Sequence, residues 1–266
     1  PIVRGRFFAR RIGRIGASSR AMIALLRKQN WPALAELRLD GAPVAVIVRV
    51  SARARSYRLS VPHTGRPVLT VPTHGRWPDA EAFLARHAAW LAARMKRVVP
   101  PVALTEGAIV PLRGVPHRIV ALDRIRGRVE VGLDADRLAL FVPGAPEHRP
   151  RRLTDWLRQE AEADLAARVA VHAATLRVAV KSITLRAQTS RWGSCSSTGR
   201  LNFNWKLILT PPFVLDYVAA HEVAHLREMN HSPAFWARVS EALPDMDRGR
   251  AWLRAHGREI MAYGAE

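Results

Sequence analysis

Cysteine is nearly absent from this chain of 266 residues, which carries a single one, Cys195. No disulfide can form within the chain and nothing points to an oxidising compartment, so a reducing cytoplasm is the expected location. Lysine is almost as scarce: Lys28, Lys96, Lys181 and Lys206 are the lysines among 42 basic residues, against 22 acidic ones. Long apolar runs are missing too. The longest in the first segment, Ala21–Leu26, is far below the ~20 residues of a membrane span and short for a signal-peptide core. No repeat of fixed period, no G-x-x-x-x-G-K-S/T loop and no carboxylate cluster suited to magnesium occurs, which removes the usual support for a nucleoside triphosphate hydrolase.

What the chain has in quantity is arginine. The formal net charge is +20, with +7 in residues 1–42, +9 in residues 43–150 and +4 in residues 151–266. A basic excess of this kind suits nucleic acid or another polyanion, which binds by releasing phosphate counterions. A bias toward Arg and Ala in the coding DNA accounts for it equally well, and both readings stay open. Hydrophobic residues make up 48% and charged residues 24%, an ordinary soluble balance with enough interior for one large domain or two modest ones.

The local pattern divides the chain. Residues 1–42 read as a basic extension, an Arg-rich arm followed by a short helix. Residues 43–149 read as a β-rich region: "VAVIVRV", "SYRLSV" and "PVLTVP" suggest a meander, one amphipathic helix follows from Trp77, and "HRIVAL", "GRVEVGL" and "RLALFVP" suggest antiparallel strands. Prolines 143, 146 and 150 mark the expected linker. Beyond it, Leu153, Trp156, Leu157, Leu165, Val169, His172 and Leu176 form one helical stripe, on which His172 reads as a packed histidine. Three short β-prone pieces come next, and "RLNFNWK" among them is either an internal strand or an edge open to an extended peptide.

Chemistry concentrates in "AAHEVAHLREMNHSPAFW", Ala219–Trp236, which holds three of the ten histidines. Pro211 and Pro212 suit a helix start, and a helix through Met229 places His221 and His225, four apart, on one face. Glu222 lies beside them, completing H-E-x-x-H, a pair of imidazole ligands with a general base. Two histidines leave a catalytic zinc short of a ligand, and His231 supplies the third if the chain turns sharply at Met229–Asn230, with Asn230 left-handed. A solvated helix with two surface histidines is the competing reading, and it has to explain His231 and the helix breaker as well. Tyr217, one turn before His221, and Arg191 are candidate substrate contacts; an ordinary packing or ion-pair role suits each as well. Trp192, Phe235 and Trp236 read as core aromatics, and Cys195 as an inert buried thiol.

The segment "RWGSCSSTGRLNFNWKLILTPPFVLDYVAAHEVAHLREMNHSPAFW" resembles the YgjP-like zinc metallopeptidase family, through R-W-G-S-C, N-W-x-L and H-E-x-x-H followed by N-H-S-x-x-F-W. The likeness extends from about Val44 to His256. It implies an α+β fold in which a β-rich N-terminal half precedes a zincin-like C-terminal half, a zinc-hydrolase domain over residues 150–266 with a small sheet and the H-E-x-x-H helix. It further implies His221, His225 and His231 as zinc ligands, Glu222 as catalytic base, and a protein or peptide substrate. The chain is more distantly similar to SprT-like proteases, some of which act on DNA-bound proteins. Glu228, where metzincins carry Gly, argues against that group. Two alternatives remain: a metal-dependent hydrolase of a nucleotide or other phosphate substrate, and a nucleic-acid-associated protein, reached through the basic N-terminal half, with a vestigial zinc site.

Overall fold

A computed structural model of the chain describes residues 3–4, 30–62, 65–188 and 191–264. The arm and short helix expected within residues 1–42 therefore lie mostly outside the described residues. The chain forms two compact units, Pro1–Pro100 and Pro101–Glu266.

The first unit is a five-stranded sheet of β1 (Val3–Arg4), β2 (Leu34–Leu39), β3 (Ala42–Ser51), β4 (Arg58–Ser60) and β5 (Val68–Pro72), in the order β1-β4-β5-β3-β2. It is not the expected meander, because β3 and β5 run parallel. Every residue of β5 is buried, so this strand takes the middle of the sheet, where both faces of a strand are covered. The expected boundary at residue 42 fails as well. Asp40 and Gly41, both at positive φ (48° and 84°), make a tight hairpin that pairs Leu34–Leu39 with β3. The single expected helix is two, α1 (Trp77–Arg86) and α2 (Ala88–Met95), broken at His87. There the imidazole Nδ1 bonds the Phe83 carbonyl at 2.7 Å, the acceptor that a continuing helix would pair with a backbone N–H. Phe83, Leu84 and Leu91 pack with Val46, Leu59 and Leu69 as the core of this unit.

The second unit begins with β6 (Ile109–Leu112), β7 (Val115–Ala121), β8 (Glu130–Asp134) and β9 (Arg137–Val142), in the order β6-β7-β9-β8. The expected antiparallel pairing does not hold throughout, because β7 and β9 are parallel: the β8–β9 hairpin, turning on Ala135 and Asp136 at positive φ, brings β9 back beside β7 in the same sense. The strands β2 to β5 and β6 to β9 thus share one order and sense, although no sequence repeat marks them.

The division of the chain falls at Pro100, not at the expected 149/150. Val110, Leu140 and Val142 share one core with Leu153 and Leu157 of α3 (Arg149–Leu176) and with Trp205 and Ile208, so this sheet belongs with the helical C-terminal half. The stripe foreseen on α3 is buried except for the half-buried Trp156, and the helix ends where Arg177 turns left-handed. Then come a three-stranded sheet, β10 (Ser182–Arg186), β11 (Gly193–Cys195) and β12 (Arg200–Asn204), a 3-10 turn over Trp205–Leu209, and helices α4 (Pro212–Ala224), α5 (Pro233–Ala242) and α6 (Met246–Ala262). The order β10-β12-β11 makes β12 internal, so "RLNFNWK" offers no open edge, and β10 and β11 are the outer strands. The architecture is α+β.

α4 is the element that matters for chemistry, and it is anchored on two sides. Leu215 and Val218 pack with Leu165 and Val169 of α3, Phe203 of β12 and Phe235 of α5. Asp216 joins Arg168 (2.6 and 3.0 Å) and the buried His172 (2.6 Å), so His172 is the packed histidine expected. Burial opposes ionisation of Asp216, but the bonds from His172 and Arg168 outweigh it and hold the carboxyl below its ordinary range.

Lys206 is also buried, its Nζ donating to the Met261 carbonyl at the end of α6 at 2.7 Å. A cation suits the unpaired carbonyls of a helix C-terminus, yet burial lowers its pKa to about 8. The unfolded chain therefore holds more protons than the folded one between pH 8 and the ordinary lysine range. Stability should rise with pH across that window, with the penalty fully present below it. Urea unfolding at pH 7.5 and 10.5 should show the wild type gaining on Lys206→Met by on the order of 2 kcal/mol, since each tenfold change in proton affinity is worth about 1.4 kcal/mol. An unchanged difference would mean that Lys206 is solvated.

Candidate metal centre

α4 begins at Pro212, where proline's missing N–H costs nothing, and runs nearly all-apolar to Ala224. The helix stops sooner than the sequence suggests, at His225 rather than Met229. Three interactions explain the early stop. His225 Nδ1 donates to the Glu228 carbonyl at 3.0 Å, and the Arg227 guanidinium bonds the Leu176 carbonyl at 2.8 and 3.0 Å, drawing the chain toward the end of α3. Asn230 is not left-handed; its side-chain oxygen accepts the Ser232 N–H at 3.0 Å. Ser232 then caps α5 through Phe235 N–H.

The result brings His221, His225 and His231 together. One nitrogen from each lies within 4.8 Å of the others, and His231 Nε2 is 3.1 Å from His221 Nε2. Three nitrogens about 2.1 Å from a shared tetrahedral ion would be about 3.4 Å apart, so the spacing fits zinc with little adjustment. The bond from His225 Nδ1 to Glu228 leaves its Nε2 as the free lone pair, the usual way a protein sets a ligand tautomer. Phe235 stacks on His225 (centroids 4.4 Å apart, planes at 28°) and lies 4.9 Å from His221, while Trp236 packs 5.8 Å from His221 and 5.9 Å from His231. Phe235 is fully buried, and both aromatics brace the imidazoles besides filling the core.

The electrostatics suit a cation held by neutral rings. Burial, with help from His225, His231 and Arg250, lowers the His221 pKa to about 3, and burial likewise lowers that of His225. Their lone pairs are available across the physiological range. Glu222 is buried beside them, and burial raises its pKa to about 8, against the opposing charge of Arg191. Its Oε2 is a buried atom without a protein partner among the described residues, an arrangement suited to a reacting water.

Gly193 makes room for that carboxyl. A Cβ there would lie 2.6 Å from Glu222 Cγ and 2.7 Å from Cδ, and would overlap Oε1, so β11 can pass the glutamate only without a side chain. Tyr217 is buried one turn before His221, with ring centroids 5.9 Å apart. Arg191 is exposed and within electrostatic reach of Glu222. Cys195 stays outside the histidine group, and burial raises its thiol to about 11, so it is protonated rather than a thiolate ligand.

A cavity of about 420 Å3 opens beside His221 and Glu222, with Trp192, Tyr217, Arg250 and Arg254 among its walls. The two arginines are not among the residues that the sequence points to. Their signal is faint: Gly249 inside a helical pattern marks a close approach, and a Cβ there would sit 2.5 Å from Tyr217 Cβ and 3.0 Å from the Phe213 carbonyl.

The family model described as YgjP-like, metallopeptidase domain, matches residues 55–256, well over half of the chain. No curated relative matches the sequence. Among solved structures, the crystal structure of the metallopeptidase zymogen of Pyrococcus abyssi abylysin is similar at 17% identity and a TM-score of 0.32, covering 35% of this chain and 93% of that one. A match of this extent to the family model means that the chain belongs to the YgjP-like metallopeptidase family.

Proposed function

We propose that the chain is a zinc-dependent metallopeptidase that hydrolyses peptide bonds, with His221, His225 and His231 holding the ion and Glu222 acting as base. The observation that carries this reading is the convergence of three imidazole nitrogens within 4.8 Å, with the buried, unpartnered Glu222 carboxyl beside them. A zinc ion so held supplies Lewis acidity for a carbonyl and lowers the pKa of a water toward ~7. Glu222 takes the proton from the attacking water, and burial favours this step by raising its proton affinity. It then delivers that proton to the departing amide nitrogen, and the peptide bond breaks into acid and amine. Tyr217 and Arg191 are proposed as substrate contacts near the developing negative charge. Among the described residues no helix is long and apolar enough to cross a membrane.

A second element concerns the arginine excess. A cavity of about 330 Å3 in the first unit is lined by Arg53, Arg55 and Arg58 with Ser51, Ser56 and Thr70 and no acid, which favours a polyanion there. Deleting residues 1–40 is a poor test, because it would strip β2 from the sheet.

Zinc content and activity test the centre. The purified chain should hold close to one zinc, and His231→Ala should reduce retention as severely as His221→Ala; equal retention in the His231 variant would remove it from the ligand set. Glu222→Gln should keep zinc and fold while hydrolysis of an unfolded protein drops by several orders of magnitude, and surviving activity would point to another base. For the basic surface, Arg53→Glu with Arg55→Glu should weaken duplex DNA binding and flatten its log–log salt dependence by about 0.9 for each phosphate no longer neutralised. Absence of salt-dependent binding by the unaltered chain would leave base composition as the account of the arginines.

A further inference from the structure

The cavity beside Glu222 carries more positive charge than the proposed hydrolysis requires. Arg250 and Arg254 project into it from successive turns of α6, and Glu222 is the sole acid of its lining. Neither guanidinium is committed elsewhere. Asp247 approaches Arg250 at 3.9 Å but is 82% exposed, a contact that solvent screens almost completely. Arg254 has no ion pair among the described residues.

Arg250 is nevertheless held in place. Its guanidinium carbon lies 4.4 Å from the centre of the Trp236 ring, a cation–π contact, and Trp236 in turn packs on His221 and His231. Gly249, whose lack of a side chain lets α6 lie against Tyr217 and Phe213, sets the depth at which Arg250 enters. A pre-positioned guanidinium with no strong internal partner is suited to a planar anion, which it binds through two parallel hydrogen bonds. Trp192, Val218 and Leu253 line the same cavity with apolar surface, which suits the methylene stem of a side chain.

We infer that this cavity is a specificity pocket for a carboxylate of the peptide substrate, within a residue or two of the scissile bond, with Arg250 and Arg254 as its recognition groups. The inference rests on the peptidase reading of the site. A carboxylate there comes from an acidic side chain or from a free chain terminus, and the two sources separate by experiment.

The test uses the zinc-loaded full-length chain and fluorogenic peptides that differ at successive positions by Glu, Gln or Lys, each made with a free and an amidated C-terminus. At one position Glu should exceed Gln by roughly tenfold to a hundredfold in kcat/KM, the scale of charge-assisted hydrogen bonds. A preference that survives amidation assigns the pocket to an acidic side chain, and one abolished by amidation assigns it to the terminal carboxylate. Arg250→Glu should turn the preference toward Lys. Because Arg250 also braces Trp236, Arg254→Glu serves as the second variant and should narrow the Glu-to-Gln ratio. Binding of the same peptides to zinc-loaded Glu222→Gln, read by fluorescence anisotropy, gives a second readout that needs no turnover. If the unaltered chain cleaves no peptide, the peptidase reading fails, and acid-selective binding abolished by the added Arg250→Glu change would still support the pocket. Equal cleavage or equal binding of the Glu, Gln and Lys peptides, with free and amidated ends alike, overturns it.

Discussion

Three imidazoles from one short stretch of chain can meet only if the helix carrying the first two stops almost as soon as the second has been placed. Here α4 ends at His225, and the side chains that end it are close to the site themselves: His225 bonds Glu228, and Arg227 bonds the end of α3. The same bond from His225 Nδ1 stops the helix and directs the opposite nitrogen toward its neighbours. A continuous helix would point His231 far from the first pair, and the braces supplied by Phe235 and Trp236 would have nothing to hold.

Around that turn the structure relies on backbone closeness at two glycines. Gly193 lets an outer strand slide under the Glu222 carboxyl, and Gly249 lets α6 press on the Tyr217 side of α4. One sets the surroundings of the Glu222 carboxyl, and the other decides which side chains face the cavity beside it. Burial does the rest, making the imidazoles reluctant to accept protons and the carboxyl reluctant to lose one.

Much of the site is legible in the sequence because its information is local. The spacing of His221 and His225, the prolines at 211 and 212 and the apolar stripe of α3 each follow from a few residues and one helical period. The resemblance carried by R-W-G-S-C and N-H-S-x-x-F-W points to the family over nearly the span that the family model matches. What escapes depends on partners distant in sequence or on side chains competing with backbone. The parallel pairing of β3 with β5 and of β7 with β9 leaves no mark on alternation within a strand. The break at His87 needs an imidazole to capture a carbonyl four residues back, which helical periodicity does not encode. The Asp40–Gly41 hairpin is a readable turn signal, obscured by the charge of the extension around it. Arg250 acquires meaning only beside Trp236, a neighbour from another helix.

The three histidines span residues 221–231, so the loop they would close is very short and ordering it costs little chain entropy. The machinery around them is recruited from farther away: β11 passes Glu222 from some thirty residues upstream, and α6 arrives from a similar distance downstream. The histidine cluster is thus a property of one helix end and its turn, whereas its surroundings depend on long-range packing. A variant that keeps the three imidazoles together has kept a local motif in order, and the integrity of the surrounding core has to be read from unfolding.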